Sequence, residues 1–355
     1  MLNATSLWAT AFIWIWNFIS GMMLCWFYGK GKALKKGFPA VLAISIIHGG
    51  GQMLVSQFNA TLACFVPTVV AIGVIVVLGR TPWYKDPWRV EESPVMDRSA
   101  GSAEEEDAPE DMSVLQAFLP YIVLTILTLV ILLVKPIKEF LGQVKLGFAF
   151  PGMVTGYGYE DPAADPFSPL AIFTHAGMFL LVSAIFGFFY FKSKGWLRED
   201  SGAMIGRRTV KKTIPSSISV ICFIAMSKVM GGTGQTTVMA QGIAGVMGEA
   251  YVALSPIVGL LGSFMTSSNM ASNILFGSFQ LATANFLGLN PAPVLGAQTA
   301  GGAIGAAICP GNIVLGCTTA GIMGQEGKVL QKVLPITLAA AAIVGVIMYV
   351  TCILL

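Results

Sequence analysis

The chain has 355 residues, of which 55% are hydrophobic and only 11% are charged, and its mean hydropathy is +0.75. Soluble globular domains carry about 25% charged residues, so a soluble chain of this length would have too little charge to cover its surface. The formal net charge of +3 gives no reason to expect a nucleic-acid partner. The 40 glycines and 18 prolines belong to residue types that are frequent in membrane helices. The composition therefore predicts a protein that has the lipid bilayer as its solvent.

Apolar stretches that can cross a bilayer recur along the chain. A membrane-spanning helix needs about 20 mostly apolar residues. The stretch 38–58 is the weakest, because His48, three glycines and Gln52 interrupt its apolar run. The other predicted spans are residues 7–28, 60–79, 118–134, 169–191, 214–230 and 334–355.

The lysine and arginine residues indicate how these spans are oriented. The loops 29–37, 80–117 and 192–213 together contain fifteen of them, whereas the loop 135–168 contains three. Loops rich in Lys and Arg stay on the cytoplasmic side. We therefore predict a multi-pass protein of the cell (plasma or inner) membrane with the three Lys/Arg-rich loops in the cytoplasm.

The segment 81–117 has the composition of a loop without fixed structure. Its acidic residues lie among serine, alanine and proline, and such segments cannot bury enough apolar surface to fold. We predict a disordered, solvated cytoplasmic loop, and binding of a partner through the charge run is the alternative. The clustered acidic residues are Glu104, Glu105, Glu106, Asp107, Glu110 and Asp111.

The pattern changes after residue 231, where the apolar stretches become short and contain Gly, Pro, Ser, Thr and Asn. Broken helices of this kind at membrane depth line a cavity or lie buried in protein, and they are the best sequence indicator of a transporter binding site. The fold class is thus all-α, a polytopic transmembrane bundle with broken helices and a re-entrant hairpin. Its predicted segments are 1–80 with three spans, 81–117 as the acidic loop, 118–232 with three spans and loops, 233–333 as the hairpin and broken-helix substrate region, and 334–355 as the C-terminal helix.

The first candidate binding segment lies at the predicted hairpin tip. Hydroxyl and amide groups there would join the free N–H groups that begin the next helix, and such groups suit a carboxylate. An ordinary helix cap is the alternative, but a cap requires one polar residue and this stretch has six. They are Thr266, Ser267, Ser268, Asn269, Ser272 and Asn273.

The second candidate segment runs from Gln298 to Asn312. Gly301 and Gly305 form a small-xxx-small face that favours tight helix packing, and packing alone is one interpretation. The Pro310-Gly311 pair inside an apolar run indicates that the backbone also opens there. The residues predicted to face the substrate are Gln298, Thr299, Gly301, Gly302 and Asn312.

Ionisable residues inside a membrane are candidates for function because their burial is costly. His48 and Lys228 are the candidates for ion coupling. His48 would relay protons or be a packed, hydrogen-bonded neutral histidine. Lys228 would bind an anion or direct its charge towards the membrane surface from a span end.

Signatures of enzymes are absent from the sequence. It contains no HExxH motif, no metal-spaced Cys/His cluster, no paired intramembrane carboxylates and no GxxxxGK[ST] loop. We therefore predict neither an enzyme nor an ATP-driven pump, and no cofactor or metal.

The second half of the chain resembles the lactate permease family. The resemblance is carried by the run from Ser255 to Phe276, Gln298 to Gly305, Pro310, and Ala320 to Gly327, and it extends weakly upstream from Trp14. It implies a proton-coupled carrier for lactate or glycolate. In the family pattern an Asp falls at Asn269 and a Lys falls at Ala306. The joint absence of these charges predicts that the two positions lie close together, because losing one alone would leave a buried charge unpaired.

The resemblance also implies a large N-terminal region that this sequence does not supply. The prediction is a symporter of a small monocarboxylate (L-lactate, glycolate or another 2-hydroxy acid) coupled to H⁺ or Na⁺. The alternative is a non-transporting membrane subunit, or half of a split carrier that works with an N-terminal half on another chain.

Overall fold

A computed structural model describes most of the chain. The described residues are 1–60, 62–86, 88, 90, 112–156, 158, 160–161, 163–320 and 322–354. They form two compact units, one made of Met1–Ala103 with Val220–Leu355 and the other of Glu104–Ser219. Most of the acidic segment that was predicted to be disordered, residues 91–111, lies outside the described residues.

The first unit begins with a pair of antiparallel helices within one helical segment. Helix α1 (Leu2–Ile44) has non-helical backbone at Gly29 and Lys30. A straight helix of this whole segment would be about 85 Å long, far beyond a hydrocarbon core of about 30 Å. Its two halves instead pack against each other, since a Cβ at Gly21 would lie 2.7 Å from the Val41 side chain. The segment comprises α1 (Leu2–Ile44), a π-helical turn (Ser45–Gly50) and α2 (Gly51–Phe58).

The helix α3 (Phe65–Gly79) follows, and its 15 residues are almost all apolar. The predicted spans 7–28 and 38–58 thus match the two halves of the first segment, whereas 60–79 forms a shorter helix. The predicted loop 29–37 is mostly helical, because non-helical backbone is confined to two residues at the bend.

The second unit contains helices joined by a small β-structure. The Ser183 hydroxyl of α7 (Ala176–Ser193) donates to the Pro120 carbonyl of α5 (Leu119–Leu133), so these two helices pack together. At Val134 the chain bends by 91° between α5 and α6 (Lys135–Leu141). The helices are α4 (Val114–Ala117), α5 (Leu119–Leu133), α6 (Lys135–Leu141), α7 (Ala176–Ser193) and the first part of α8 (Ser201–Gly232).

The segment predicted as the loop 135–168 forms α6 and four strands. β1 pairs antiparallel with β4, with Lys145 opposite Ala171, and β2 pairs antiparallel with β3. The strands are β1 (Lys145–Phe150), β2 (Met153–Val154), β3 (Glu160–Asp161) and β4 (Ala164–Ala171).

At the C-terminal end of the acidic segment, Ser113 forms a capping box with Gln116, so that end of the predicted disordered loop is helical.

After the end of α8, the first unit continues as a bundle of helices of 10 to 24 residues. Several start at a proline, whose fixed φ and missing N–H suit the first helical position. The Asn290 side chain also caps α12 (Pro291–Gly305) by accepting from the Ala292 N–H at 3.0 Å. The helices are α9 (Gln235–Met247), a 3₁₀ segment (Gly248–Leu254), α10 (Ser255–Thr266), α11 (Asn269–Phe286), α12 (Pro291–Gly305), α13 (Pro310–Thr319), α14 (Glu326–Tyr349) and a π-helical turn (Val350–Leu354).

Helix α12 lies at the centre of this bundle, against α1, α10, α11 and α14. Glycine residues let it approach α10 closely, because a Cβ at Gly301 would overlap the Pro256 carbonyl and a Cβ at Gly305 would lie 2.5 Å from the Leu260 carbonyl. The apolar core around it includes Phe12, Leu260, Val294, Ile304, Val344 and Met348.

Five helical segments of the described residues are long and apolar enough to cross a membrane, and the bent pair α5–α6 would make a sixth. The expected span 214–230 lies in α8, which is not among them. Of the short stretches expected after residue 231, 252–266 lies in one longer run and 294–309 lies in another, whereas 274–288 belongs to the separate helix α11. The five segments are Leu2–Phe58, Ala176–Ser193, Gln235–Thr266, Pro291–Thr319 and Glu326–Ile353.

Candidate substrate-binding site

The turn between α10 and α11 forms the hairpin tip, residues 266–269. Ser267 has left-handed backbone (φ 55°), which reverses the chain after α10. The Ser268 side chain caps α11 by accepting from the Ala271 N–H at 3.2 Å. The Thr266 hydroxyl lies 2.8 Å from the Gly262 carbonyl and closes the end of α10. The tip is thus a defined turn built by its own hydroxyl groups.

A second break separates α12 from α13. Cys309 has extended backbone before Pro310, where α13 begins. The Asn312 amide donates to the Ala306 carbonyl at 2.8 Å, so its side chain satisfies a carbonyl left free at the end of α12. The Pro310-Gly311 pair therefore opens the helix, as the sequence predicted.

The two breaks meet in the structure. A Cβ added at Gly311 would lie 3.4 Å from the Ser267 hydroxyl oxygen and 3.5 Å from its Cβ. The N-termini of α11 and α13 therefore lie side by side. The first N–H groups of a helix lack helical partners, and the dipole adds positive potential there. Two such ends at one place suit an anion better than either end alone.

Asn269 is the residue of the hairpin tip that contacts α12. Its side-chain oxygen lies against Gly302, where any Cβ would overlap it. The N–H of Ala306 donates to the Gly302 carbonyl at 3.1 Å, so Ala306 lies one turn further along α12. Positions 269 and 306 are therefore separated by about one helical turn, which agrees with the predicted proximity.

A buried chain of hydrogen bonds crosses the helices behind the tip. The Gln298 amide donates to the Ser272 hydroxyl at 3.1 Å, and that hydroxyl donates to the Gly259 carbonyl at 2.9 Å. The amide of Gln280 donates to the Gln298 carbonyl oxygen at 2.8 Å, and the Tyr251 hydroxyl donates to Gln280 at 2.6 Å. These side chains are at most 1% exposed. Buried polar groups that satisfy one another fix the positions of their helices, so Ser272 and Gln298 position the tip.

The remaining predicted residues have different surroundings. Asn273 lies one turn after Asn269 on α11, and its side-chain oxygen is buried. The Thr299 hydroxyl donates to the Leu295 carbonyl of its own helix at 3.0 Å. Gly301 packs against α10. Lys228 is an exposed residue of α8.

His48 lies in the π-helical turn and has a neighbour at each ring nitrogen. Its Nδ1 is 3.1 Å from the Asn17 amide nitrogen, and its Nε2 is 3.1 Å from the Thr68 hydroxyl. The Thr68 hydroxyl donates to the Cys64 carbonyl at 2.6 Å, so it accepts from the ring. The Asn17 amide can donate to Nδ1, so the arrangement fits the tautomer that carries its proton on Nε2.

Sequence reasoning did not select Gly311, Gln280 and Tyr251 as site residues. The signal for Gly311 was its place after the helix-breaking proline. Gln280 is an amide in the mostly apolar run 274–288, and such a side chain needs a partner when it is buried. Tyr251 gave no comparable signal.

Comparison with known proteins gives a consistent result. The sequence model of the L-lactate permease family matches residues 3–355. The L-lactate permease of Halalkalibacterium halodurans is 24% identical over 342 residues, which cover 94% of this chain and 60% of that protein. The glycolate permease GlcA of Escherichia coli is 25% identical over 345 residues, which cover 89% and 59%. A putative L-lactate permease of Haemophilus influenzae is 34% identical over 115 residues, which cover 32% and 22%.

No solved structure matches the chain significantly. The chain spans about 60% of the length of the first two relatives. These relatives are permeases and not enzymes, and several helices of the chain are long and apolar enough to cross a membrane. From the family match over nearly its whole length, we conclude that this chain is an integral membrane protein of the L-lactate permease family.

Proposed function

We propose that the chain forms the substrate-binding part of a symporter for a small monocarboxylate, either L-lactate, glycolate or another 2-hydroxy acid. The observation that carries the proposal is the meeting of the α11 and α13 N-termini at Ser267 and Gly311. The names of the relatives, which are lactate and glycolate permeases, support the substrate class.

In this proposal the carboxylate lies between the two helix ends. Ser267 is exposed and Gly311 has no side chain, so a small anion can approach the free N–H groups of both helices. The hydroxyl of Ser267 and the amide of Asn269 are the groups that suit the 2-hydroxyl of the substrate. Ser268, Ser272 and Gln298 hold the tip in place through their hydrogen bonds.

The glycine at position 311 offers a direct test. We expect Gly311→Leu to lower uptake at least about tenfold, a loss of 1.4 kcal/mol or more, because its side chain would fill the space beside Ser267. The matched control is Gly316→Leu on the same helix, where a Cβ has nothing within 4 Å. The measurement is uptake of labelled lactate and glycolate into vesicles that contain the complete carrier.

Equal uptake by both leucine variants would contradict the anion site. That result would favour the second candidate function, a non-transporting membrane subunit. In that case transport by the complete carrier does not require the hairpin tip. Membrane insertion of both variants is checked by their yield after detergent extraction.

The ion that drives uptake is H⁺ or Na⁺ in this proposal. Coupling to H⁺ would involve His48, whose proton would have to leave its hydrogen bond to Thr68, with Lys228 as the second candidate. Coupling to Na⁺ would use oxygen ligands near the broken helices. Uptake under an imposed pH gradient and under an imposed Na⁺ gradient distinguishes the two.

An N-terminal half on another chain is a further part of the proposal. The relatives named as permeases match this chain over 60% and 59% of their lengths, and transporters of this type bind substrate between two structural repeats. We expect saturable uptake when the chain is reconstituted with the N-terminal region of such a relative. Robust saturable uptake by the purified chain alone would disprove the need for a partner.

A further inference from the structure

Three buried side-chain oxygens of the α10–α11 hairpin lack a hydrogen-bond partner. They are the Ser263 hydroxyl oxygen and the amide oxygens of Asn269 and Asn273. Among the described residues, Thr5 has the one other buried side-chain polar atom of this kind. A buried polar group without a partner costs about 1–3 kcal/mol, so three in one hairpin indicate a ligand that satisfies them.

The three oxygens belong to faces that meet at one junction. Ser263 lies one turn after Gly259 on α10, on the face where Gly259 contacts α12. Asn269 lies against Gly302 of α12, and a Cβ at Gly302 would be 3.6 Å from the Gly259 carbonyl. Asn273 lies one turn after Asn269, and residues four apart share a helix face. Ser263 is fully buried, so solvent does not reach its hydroxyl.

The chemistry of these groups selects a cation. Amide oxygens accept hydrogen bonds and cannot donate them, and Na⁺ is satisfied by neutral oxygens of the kind that line broken transporter helices. Ca²⁺ and Mg²⁺ sites generally include carboxylates, and none of these three residues has one. The C-terminal end of α10 reaches Thr266 beside this junction, and its negative dipole end also favours a cation.

We propose that Ser263, Asn269 and Asn273 bind a Na⁺ ion between α10, α11 and α12. The Gly259 carbonyl oxygen, which would lie 3.6 Å from a Cβ at Gly302, is a backbone oxygen at this junction that can add a further ligand. The close packing of α10 on α12 favours the smaller Na⁺ over K⁺. Binding of the ion does not depend on the substrate. The role of the ion in driving uptake rests on the proposed function. There the substrate carboxylate at the adjacent tip would be attracted by the positive charge of the ion.

The test measures thermal unfolding of the purified chain in detergent, without substrate, during titration with NaCl at constant ionic strength in choline chloride. We expect a saturable rise in Tm with Na⁺ and a clearly smaller rise with KCl. Ser263→Ala should unfold at the same or a higher temperature than the parent without Na⁺, because it removes an unpartnered oxygen. The same variant should need at least about tenfold more Na⁺ for half-saturation.

Asn273→Leu serves as a second variant at the site, and we expect the same weakening of the Na⁺ response. The matched control is Ser255→Ala, because Ser255 is also a buried serine of α10 but donates to the Val252 carbonyl at 2.8 Å. Ser255→Ala should keep the parent's half-saturating Na⁺ concentration.

A Tm that stays constant when NaCl replaces choline chloride, or that rises equally with Na⁺ and K⁺, would overturn the proposal and assign the oxygens to a bound water. An unchanged response in both site variants would overturn it as well. These readouts are independent of transport. A selective Na⁺ response together with normal uptake by Gly311→Leu would leave the cation site standing while the anion site fails.

Discussion

The double variant Asn269→Asp, Ala306→Lys is expected to recover most of the stability that each single substitution removes. Asn269→Asp places a carboxylate against Gly302, where its oxygen has no hydrogen-bond partner. Ala306→Lys adds an ammonium one turn away, and a long helical side chain points back over the preceding turn towards Gly302. Each single charge is expected to lower the free energy of unfolding by about 3–5 kcal/mol.

The measurement is a double-mutant cycle for unfolding in detergent. It is carried out in choline chloride without Na⁺, because a bound cation would compensate the new carboxylate. A coupling energy near zero, with additive losses, would show that the two positions do not pair. The absence of the acid and the base of the family pattern would then carry no information about how this carrier couples ion and substrate.

The second large effect is expected at the contact between α10 and α12. Gly301→Ala would bring a Cβ into the Pro256 carbonyl, and a backbone group cannot move aside as a flexible side chain can. Overpacking a close contact costs about 3 kcal/mol, so we expect a loss of that size in the free energy of unfolding.

The matched substitution is Gly277→Ala on α11, where a Cβ meets nothing within 4 Å. Alanine is more stable than glycine in a helix interior by roughly 0.5–1 kcal/mol, so this variant should unfold at a slightly higher temperature than the parent. If both variants unfold like the parent, α10 and α12 lie further apart than the structure places them.

Helix boundaries near prolines and polar clusters were predictable, because their signals are local. Pro310 and the polar residues from Thr266 to Asn269 break the apolar pattern, and helices end or begin at those places. The bend at Gly29 and Lys30 falls in the predicted loop 29–37, but the helical backbone of the rest of that loop and the strands in the loop 135–168 were not predicted. The first depends on how few residues the bend needs, and the second depends on pairing between separate segments.

At the candidate site, too, the types of residue were predictable from the sequence, whereas their contacts were not. Its hydroxyl and amide residues were visible in the sequence, because an apolar chain has few reasons to place six of them together. Which groups they face was not visible. Ser267 and Gly311 meet across the bundle, and Gln298 joins Ser272 to Gln280 through contacts between three helices.

The sequence by itself determined the class of protein and the location of the broken helices, because hydropathy and backbone propensity act within a few residues of the chain. The tertiary structure alone decided which breaks lie side by side and which polar atoms stay unpartnered. Those properties depend on how closely α12 approaches its neighbours, and glycines at 259, 301, 302 and 305 allow that approach only when the helices are already in register.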